Sequence, residues 1–252
     1  MKISSCPLNK TNRIRLPPIV LGPLAVALTA IYGWLFLLAE SELAVLALVA
    51  IAAATGLLFS RSGLHRGLST AMQSHGRVMN ISMIVGILAV IGLLAGEHFP
   101  LLMLATTLLY ITAGLGLNVQ FGYTGMVNFA GAAFFGIGAY TAAVLTGQTS
   151  VPPVLILVAA GVMTTTIGFL LIVPVVRTQG HYSAVVTIAF GVLFKTFLEV
   201  NDVLGGPQGL MVGPMKLLGW DFNSCPTLFG FEMSFYVNYA LTSAALAVLA
   251  FV

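Results

Sequence analysis

Residues 114–145 read Gly-Leu-Gly-Leu-Asn-Val-Gln-Phe-Gly-Tyr-Thr-Gly-Met-Val-Asn-Phe-Ala-Gly-Ala-Ala-Phe-Phe-Gly-Ile-Gly-Ala-Tyr-Thr-Ala-Ala-Val-Leu. The stretch carries no charge, yet glycine interrupts it repeatedly and three amide side chains, Asn118, Gln120 and Asn128, lie within it. The uncharged run extends back to Leu101, giving 45 residues to Leu145. At 1.5 Å per residue that is too long for one crossing of a bilayer and about right for two. In hydrocarbon, backbone departs from regular helix only where protein packs around it or a cavity receives it. Glycine-interrupted apolar spans of this kind are where transporters build their solute path.

Composition agrees with that environment. Of the 252 residues, 59% are hydrophobic and only 7% charged. Soluble domains carry about 25% charged residues, so this chain lacks the polar surface to face water all round. The fold class expected is all-α, a polytopic membrane protein of about eight helices. The apolar runs are Ile19–Leu38, Leu43–Phe59, Ile81–Ala95, Leu101–Leu117, Met126–Leu145, Val154–Val176, Tyr182–Leu198 and Val237–Val252. Lys2, Lys10, Arg13 and Arg15 precede the first run, but at 20 residues it exceeds the about 7–15 of a signal peptide and reads as an uncleaved helix.

Charge placement orients the chain. With a cytoplasmic N-terminus, the inner loops hold Lys2, Lys10, Arg13, Arg15, Arg61, Arg66, Arg77 and Arg177, eight of the ten basic residues. Glu40, Glu42, Glu97, Asp202, Asp221 and Glu232 fall outside, with Glu199 at the boundary. Basic residues collect on the cytoplasmic side of membrane proteins, and the net charge of +3 is thereby accounted for without nucleic acid. Cys6 and Cys225 then lie on opposite faces and cannot pair.

The organisation read from these features is a basic tail (1–18), two N-terminal spans (19–59), a cytoplasmic connector (60–80) and a core (81–252). The last apolar run stops at Val252 without a polar flank, so the sequence reads as cut short. No G-x-x-x-x-G-K-[ST] occurs to hold nucleotide phosphates, and no paired His or Cys arrangement occurs to hold a metal. No cofactor is expected, and catalytic chemistry is not, because the acids lie outside the spans rather than converging.

Three constellations remain. Gly122-Tyr123-Thr124-Gly125 offers a break with hydroxyls, flanked by the amides of Asn118 and Asn128; its plainer reading is a tight inner turn. Gly131, Gly136 and Gly138 among alanines favour close helix packing, leaving Tyr140 and the nearby phenylalanines as core or path-lining rings. Tyr182–Leu198 carries Thr187 and one cation, Lys195, which reads first as an anchor near the outer end, paired with Glu199 one turn on.

At these residues the chain resembles the permeases of branched-chain amino acid ABC transporters, in particular their M-type subunit. The resemblance rests on Gly-Leu-Asn through Gly-Tyr-Thr-Gly at 116–125, Ala-Ala-Phe-Phe-Gly-Ile-Gly-Ala-Tyr-Thr at 132–141, Gly-His-Tyr-Ser-Ala-Val-Val-Thr-Ile-Ala-Phe-Gly at 180–191, and the external loop with Gly205, Gly206 and Gly209. It covers about residues 100–215. It departs at Gly131, where many members have His or Gln, and at Val192, where many have Glu. The resemblance implies a bacterial inner-membrane importer subunit passing branched-chain amino acids. It implies a second permease, two cytoplasmic ATP-binding subunits and a periplasmic or lipid-anchored binding protein as partners, with membrane lipid around them. The ATPase-coupling segment that the family places after the last helix is absent from the sequence. The resemblance places the solute path near the broken 118–145 region, and the path or hinge residues read from the constellations above are Asn118, Gly122, Tyr123, Thr124, Gly125, Asn128, Tyr140 and Thr187. A urea or short-amide permease and a partial, non-transporting scaffold are the alternatives.

Overall fold

A computed structural model describes residues 18–62, 76–125, 128–177, 181–213, 216–217, 220–225, 227–228 and 231–251. The basic tail, most of the 60–80 connector with His65, Arg66 and His75, and Thr178–Gly180 lie outside them. Two compact units divide the chain, Met1–Leu93 and Leu94–Val252.

The first unit contains α1 (Pro18–Leu37), α2 (Glu42–Ser62) and α3 (Gly76–Leu93). Compaction thus groups α3 with the N-terminal pair, whereas the sequence reading put it at the start of the core. A Cβ on Gly22 would sit 3.1 Å from Met79 Sδ, and one on Gly86 3.1 Å from Val26 Cγ1. Residue numbers rise together at these contacts, so α1 and α3 run parallel. Tyr32 Oη donates to Leu48 O at 3.0 Å and ties α1 to α2.

The second unit contains α4 (His98–Thr124), α5 (Gly131–Gln148), α6 (Pro153–Arg177), α7 (His181–Val200) and α8 (Tyr236–Phe251). Between α7 and α8 lie two 3-10 turns, Asp202–Leu204 and Gly206–Gln208. Two minimal antiparallel hairpins follow: β1 (Lys216–Leu217) with β2 (Trp220–Asp221), then β3 (Thr227–Leu228) with β4 (Phe231–Glu232). Among the described residues the remaining regular structure is helical, as expected of long apolar runs. Gly76–Leu93, His98–Thr124, Pro153–Leu171 and Tyr182–Val200 are long and apolar enough to cross a membrane, and Gly22–Leu37, Glu42–Leu58 and Tyr236–Phe251 are shorter apolar helices.

Helix α4 runs on to Thr124, seven residues beyond the Leu117 end read from sequence. Gly114, Gly116 and Gly122 do not stop it, because in hydrocarbon no water replaces a broken backbone hydrogen bond. The helix ends where Gly125 turns left-handed, φ 64° and ψ 4°, with its N–H donating to Phe121 O at 2.8 Å.

The main packing pair is α4 with α8. Leu101, Ala105 and Leu108 of α4 are buried, as are Val237, Ala240, Ala244 and Ala247 of α8, whose alanines let the backbones approach. Ser234, just before α8, donates its N–H to Ala95 O at 2.9 Å, and its Oγ lies 2.6 Å from His98 Nδ1. Both helices therefore start at one end and run parallel. Asn238 Nδ2 fastens the turn between the hairpins, donating to Ser224 O at 3.0 Å and Phe222 O at 3.3 Å. Much of the remaining apolar surface faces outward, with Leu43 81%, Leu249 80% and Phe169 69% exposed. Apolar area on that scale belongs against lipid or another protein.

Candidate functional site

Helices α5, α6 and α7 meet the end of α4 around glycine and aromatic contacts. A Cβ on Gly131 would lie 2.9 Å from Leu117 Cδ1, and one on Gly136 2.9 Å from Phe194 Cε1. One on Gly138 would lie 3.3 Å from Thr164 Oγ1. Each of the three packing glycines therefore faces a different neighbouring helix, α4, α7 and α6. Gly138 faces Thr164 while Gly168 faces Phe134, so α5 and α6 are antiparallel. Phe129 N–H donates to Thr187 Oγ1 at 3.1 Å and the Phe134 and Phe190 rings meet tilted at 5.9 Å, so α5 and α7 are parallel.

Where these elements converge, a cavity of about 410 Å³ opens. Small-molecule sites occupy about 300–1,000 Å³. Gln120 and Thr124 line it from α4, Asn128 from the break, Thr164 and Thr165 from α6, and Ser183 and Thr187 from α7. Phe134, Phe169, Leu171 and Val175 supply an apolar wall. No charged side chain lines it among the described residues. It lies at the C-terminal end of α4, the second half of α6 and the start of α7. It is the end at which α6 reaches Arg177.

The hydrogen bonds of the lining set are mostly committed. Asn128 Nδ2 donates to Gln120 Oε1 at 2.9 Å, and Asn128 Oδ1 accepts from Ala130 N–H at 2.8 Å. The amide pair thus bridges the break and caps the approach to α5. Thr187, 3% exposed, accepts from Phe129 and donates to Ala184 O at 2.9 Å. Thr124, Thr164 and Thr165 donate back along their own helices, each at 2.8 Å, to Gln120, Ala160 and Gly161 carbonyls. Ser183 differs: it is 2% exposed, and its Oγ has no hydrogen-bond partner among the described residues.

The residues singled out from sequence divide into groups. Thr124, Asn128 and Thr187 come together in this cavity. Asn118, Gly122 and Tyr123 face a separate groove with Leu115, Val119, Ala250 and Phe251, and Tyr123 is 89% exposed. Successive helical residues are about 100° apart, so Asn118 and Gly122 sit about 200° round α4 from Gln120 and Thr124. Gly125 caps α4 with open space around it. Tyr140 Oη lies 3.9 Å from where a Cβ on Gly209 would stand, near the external loop rather than the cavity. That loop needs its glycines: Gly205, Gly206 and Gly209 have φ of 83°, 53° and 73°, and a Cβ on Gly205 would meet Gly209 O at 2.2 Å. Lys195 pairs with Glu199 at 3.4 Å, the anchoring role read from its spacing.

Sequence reasoning left Gln120, Thr164, Thr165 and Ser183 out of the site. Gln120 and Thr124 are four apart on one helix face, a spacing visible in the sequence. Three consecutive threonines, 164–166, within an apolar helix were also visible. Ser183 lies in the 180–191 stretch that carries the resemblance, but nothing there sets it apart from its neighbours, since a serine in a first helical turn is ordinary.

The model of a family described as "branched-chain amino acid transport system / permease component" matches residues 99–252. A curated relative, the "high-affinity branched-chain amino acid transport system permease protein LivM" of Escherichia coli (strain K12), is 40% identical over 129 residues. Its Salmonella typhimurium (strain LT2) namesake is 39% identical over 129 residues. In both cases the aligned segment covers 51% of this chain and 28% of the relative. No solved structure matches.

Proposed function

The chain belongs to the family of branched-chain amino acid transport permease components, a multi-pass inner-membrane family, and from that premise we propose that it lines the membrane path for branched-chain amino acids in an ABC importer. The observation that carries the reading is that the family match, residues 99–252, takes in every residue lining the neutral cavity at the α4–α5 break. The path residues proposed are Thr124, Asn128 and Thr187 at the cavity, Gly125 as the hinge, and Asn118, Gly122, Tyr123 and Tyr140 along neighbouring surfaces. The cavity suits the cargo: its wall receives an aliphatic side chain and its amides and hydroxyls receive a polar head.

The chain carries no P-loop sequence, so ATP would be bound and hydrolysed by two separate cytoplasmic subunits. The same scheme supplies a second permease and an external binding protein, which would deliver solute on the side of the 201–235 loop. Closing and reopening of the permease pair would move solute inward by alternating access. No cofactor enters this scheme.

The test is competition in membrane vesicles carrying the native complex. Uptake of labelled leucine is expected to be ATP-dependent, suppressed by isoleucine and valine and indifferent to excess urea. Suppression by urea with none by valine would overturn the amino-acid reading.

A further inference from the structure

We propose that Ser183 and the first turn of α7 hold the carboxylate of the solute inside the α4–α7 cavity; the inference rests on the amino-acid reading above. Buried hydroxyls are nearly always hydrogen-bonded. Ser183 lines the cavity at 2% exposure with no partner among the described residues, so its O–H is a donor held ready for something that enters. Gln120, whose Oε1 accepts from Asn128, keeps its amide hydrogens for a second contact to the solute, and the other lining hydroxyls do not compete for this role. Thr187 is engaged both as donor and as acceptor, and Thr124, Thr164 and Thr165 have spent their hydrogens on their own helices.

Ser183 is the third residue of a 20-residue helix. First-turn amides have no intrahelical carbonyl to bind, and the helix dipole places partial positive charge there. Backbone amides at such an end bind carboxylates without a basic side chain, and no Lys or Arg lines the cavity among the described residues.

The complementary half of the solute is provided for on α6. Because Thr164 and Thr165 donate backward, each turns acceptor lone pairs to its surroundings, which suits an ammonium group. Phe134, Phe169, Leu171 and Val175 are left for the side chain. A solute bearing a further side-chain charge would leave it buried without a partner, a large cost. The site therefore reads a zwitterionic head and an uncharged side chain, within this chain alone.

Purified full chain in lipid nanodiscs would be titrated with labelled leucine and with isoamylamine, which keeps the amine and the branched chain but has no carboxyl group. Ser183→Ala removes a hydroxyl that holds nothing in the empty protein, so its thermal midpoint is expected to match or exceed that of wild type. Its leucine affinity is expected to fall about ten- to a hundred-fold, the worth of one hydrogen bond to a charged group, while isoamylamine binding stays unchanged. Unaltered leucine binding by Ser183→Ala overturns the inference. So does an equal loss for leucine and isoamylamine, or a loss accompanied by a lowered midpoint, which marks a structural role. If wild type binds isoamylamine but not leucine, the carboxylate assignment fails; if it binds neither, the amino-acid reading fails and takes this inference with it.

Discussion

Gly125 shows how one residue shapes the site. Its left-handed conformation ends α4 and turns the chain toward Asn128, yet nothing lies within 4 Å of where a Cβ would stand. A substitution there meets backbone cost rather than collision. That cost is about 1–2 kcal/mol for an ordinary L-residue and less for asparagine, which visits this region more readily. Gly125→Asn is therefore expected to retain most leucine uptake, whereas Gly125→Val, branched at Cβ, loses most of it and lowers the thermal midpoint. Equal behaviour of the two variants would show that the left-handed turn is dispensable. The break was legible in the sequence because glycine clusters mark it. The division of α4 into two faces was not: Asn118 and Gln120 are both amides in one uncharged run, and only the neighbours α6, α7 and α8 decide which amide meets which space. Ser183 was illegible for a similar reason, since burial without a partner is a property of packing.

At the scale of elements, direction is the informative quantity. Contacts set α1 with α3, α4 with α8 and α5 with α7 parallel, and α5 with α6 antiparallel. Sequential crossings of a bilayer alternate in direction, so helices separated by an odd number of crossings must be parallel and adjacent ones antiparallel. All four pairs obey this. The parallel α4–α8 pair is open to a direct test in a chain whose Cys6 and Cys225 are replaced by serine. Leu115→Cys and Ala250→Cys share a groove at the C-terminal ends of these helices, so a short bis-maleimide, adding one thiol at each end, is expected to join them. Leu101→Cys with Ala250→Cys lies at opposite ends and is expected to stay unjoined; the reverse pattern would break the pairing. The helices themselves were readable as runs of about 20 apolar residues. The hairpins between Lys216 and Glu232 were not, because ladders of two residues are too short to show alternation.

Over the whole molecule, the charge distribution of the sequence predicts a single topology with the N-terminus cytoplasmic. Within the second unit, the cavity lies at the end where α6 reaches Arg177, while Glu97, Glu199, Asp202 and Asp221 fall at the ends of helices or in the loop on the other side. The two natural cysteines report on both faces. Cys225 is exposed in the loop, so an impermeant maleimide is expected to label it in intact spheroplasts, with Cys6 labelled only after the membrane is opened. Labelling of Cys6 first would invert the topology. Composition and charge made this arrangement readable, since both are whole-chain sums that no local packing alters. A chamber formed by four helices is not such a sum and appears only in the assembled unit. Its occupancy is the central claim, and the most direct measurement is solute protection within it. In a Cys6→Ser, Cys225→Ser background, Thr164→Cys places a thiol on the cavity wall, and its rate of modification in inside-out vesicles is followed with added solute. Leucine, isoleucine and valine are predicted to slow the reaction while urea and lysine leave it unchanged; a rate indifferent to all of them, in vesicles that still transport leucine, would contradict the account.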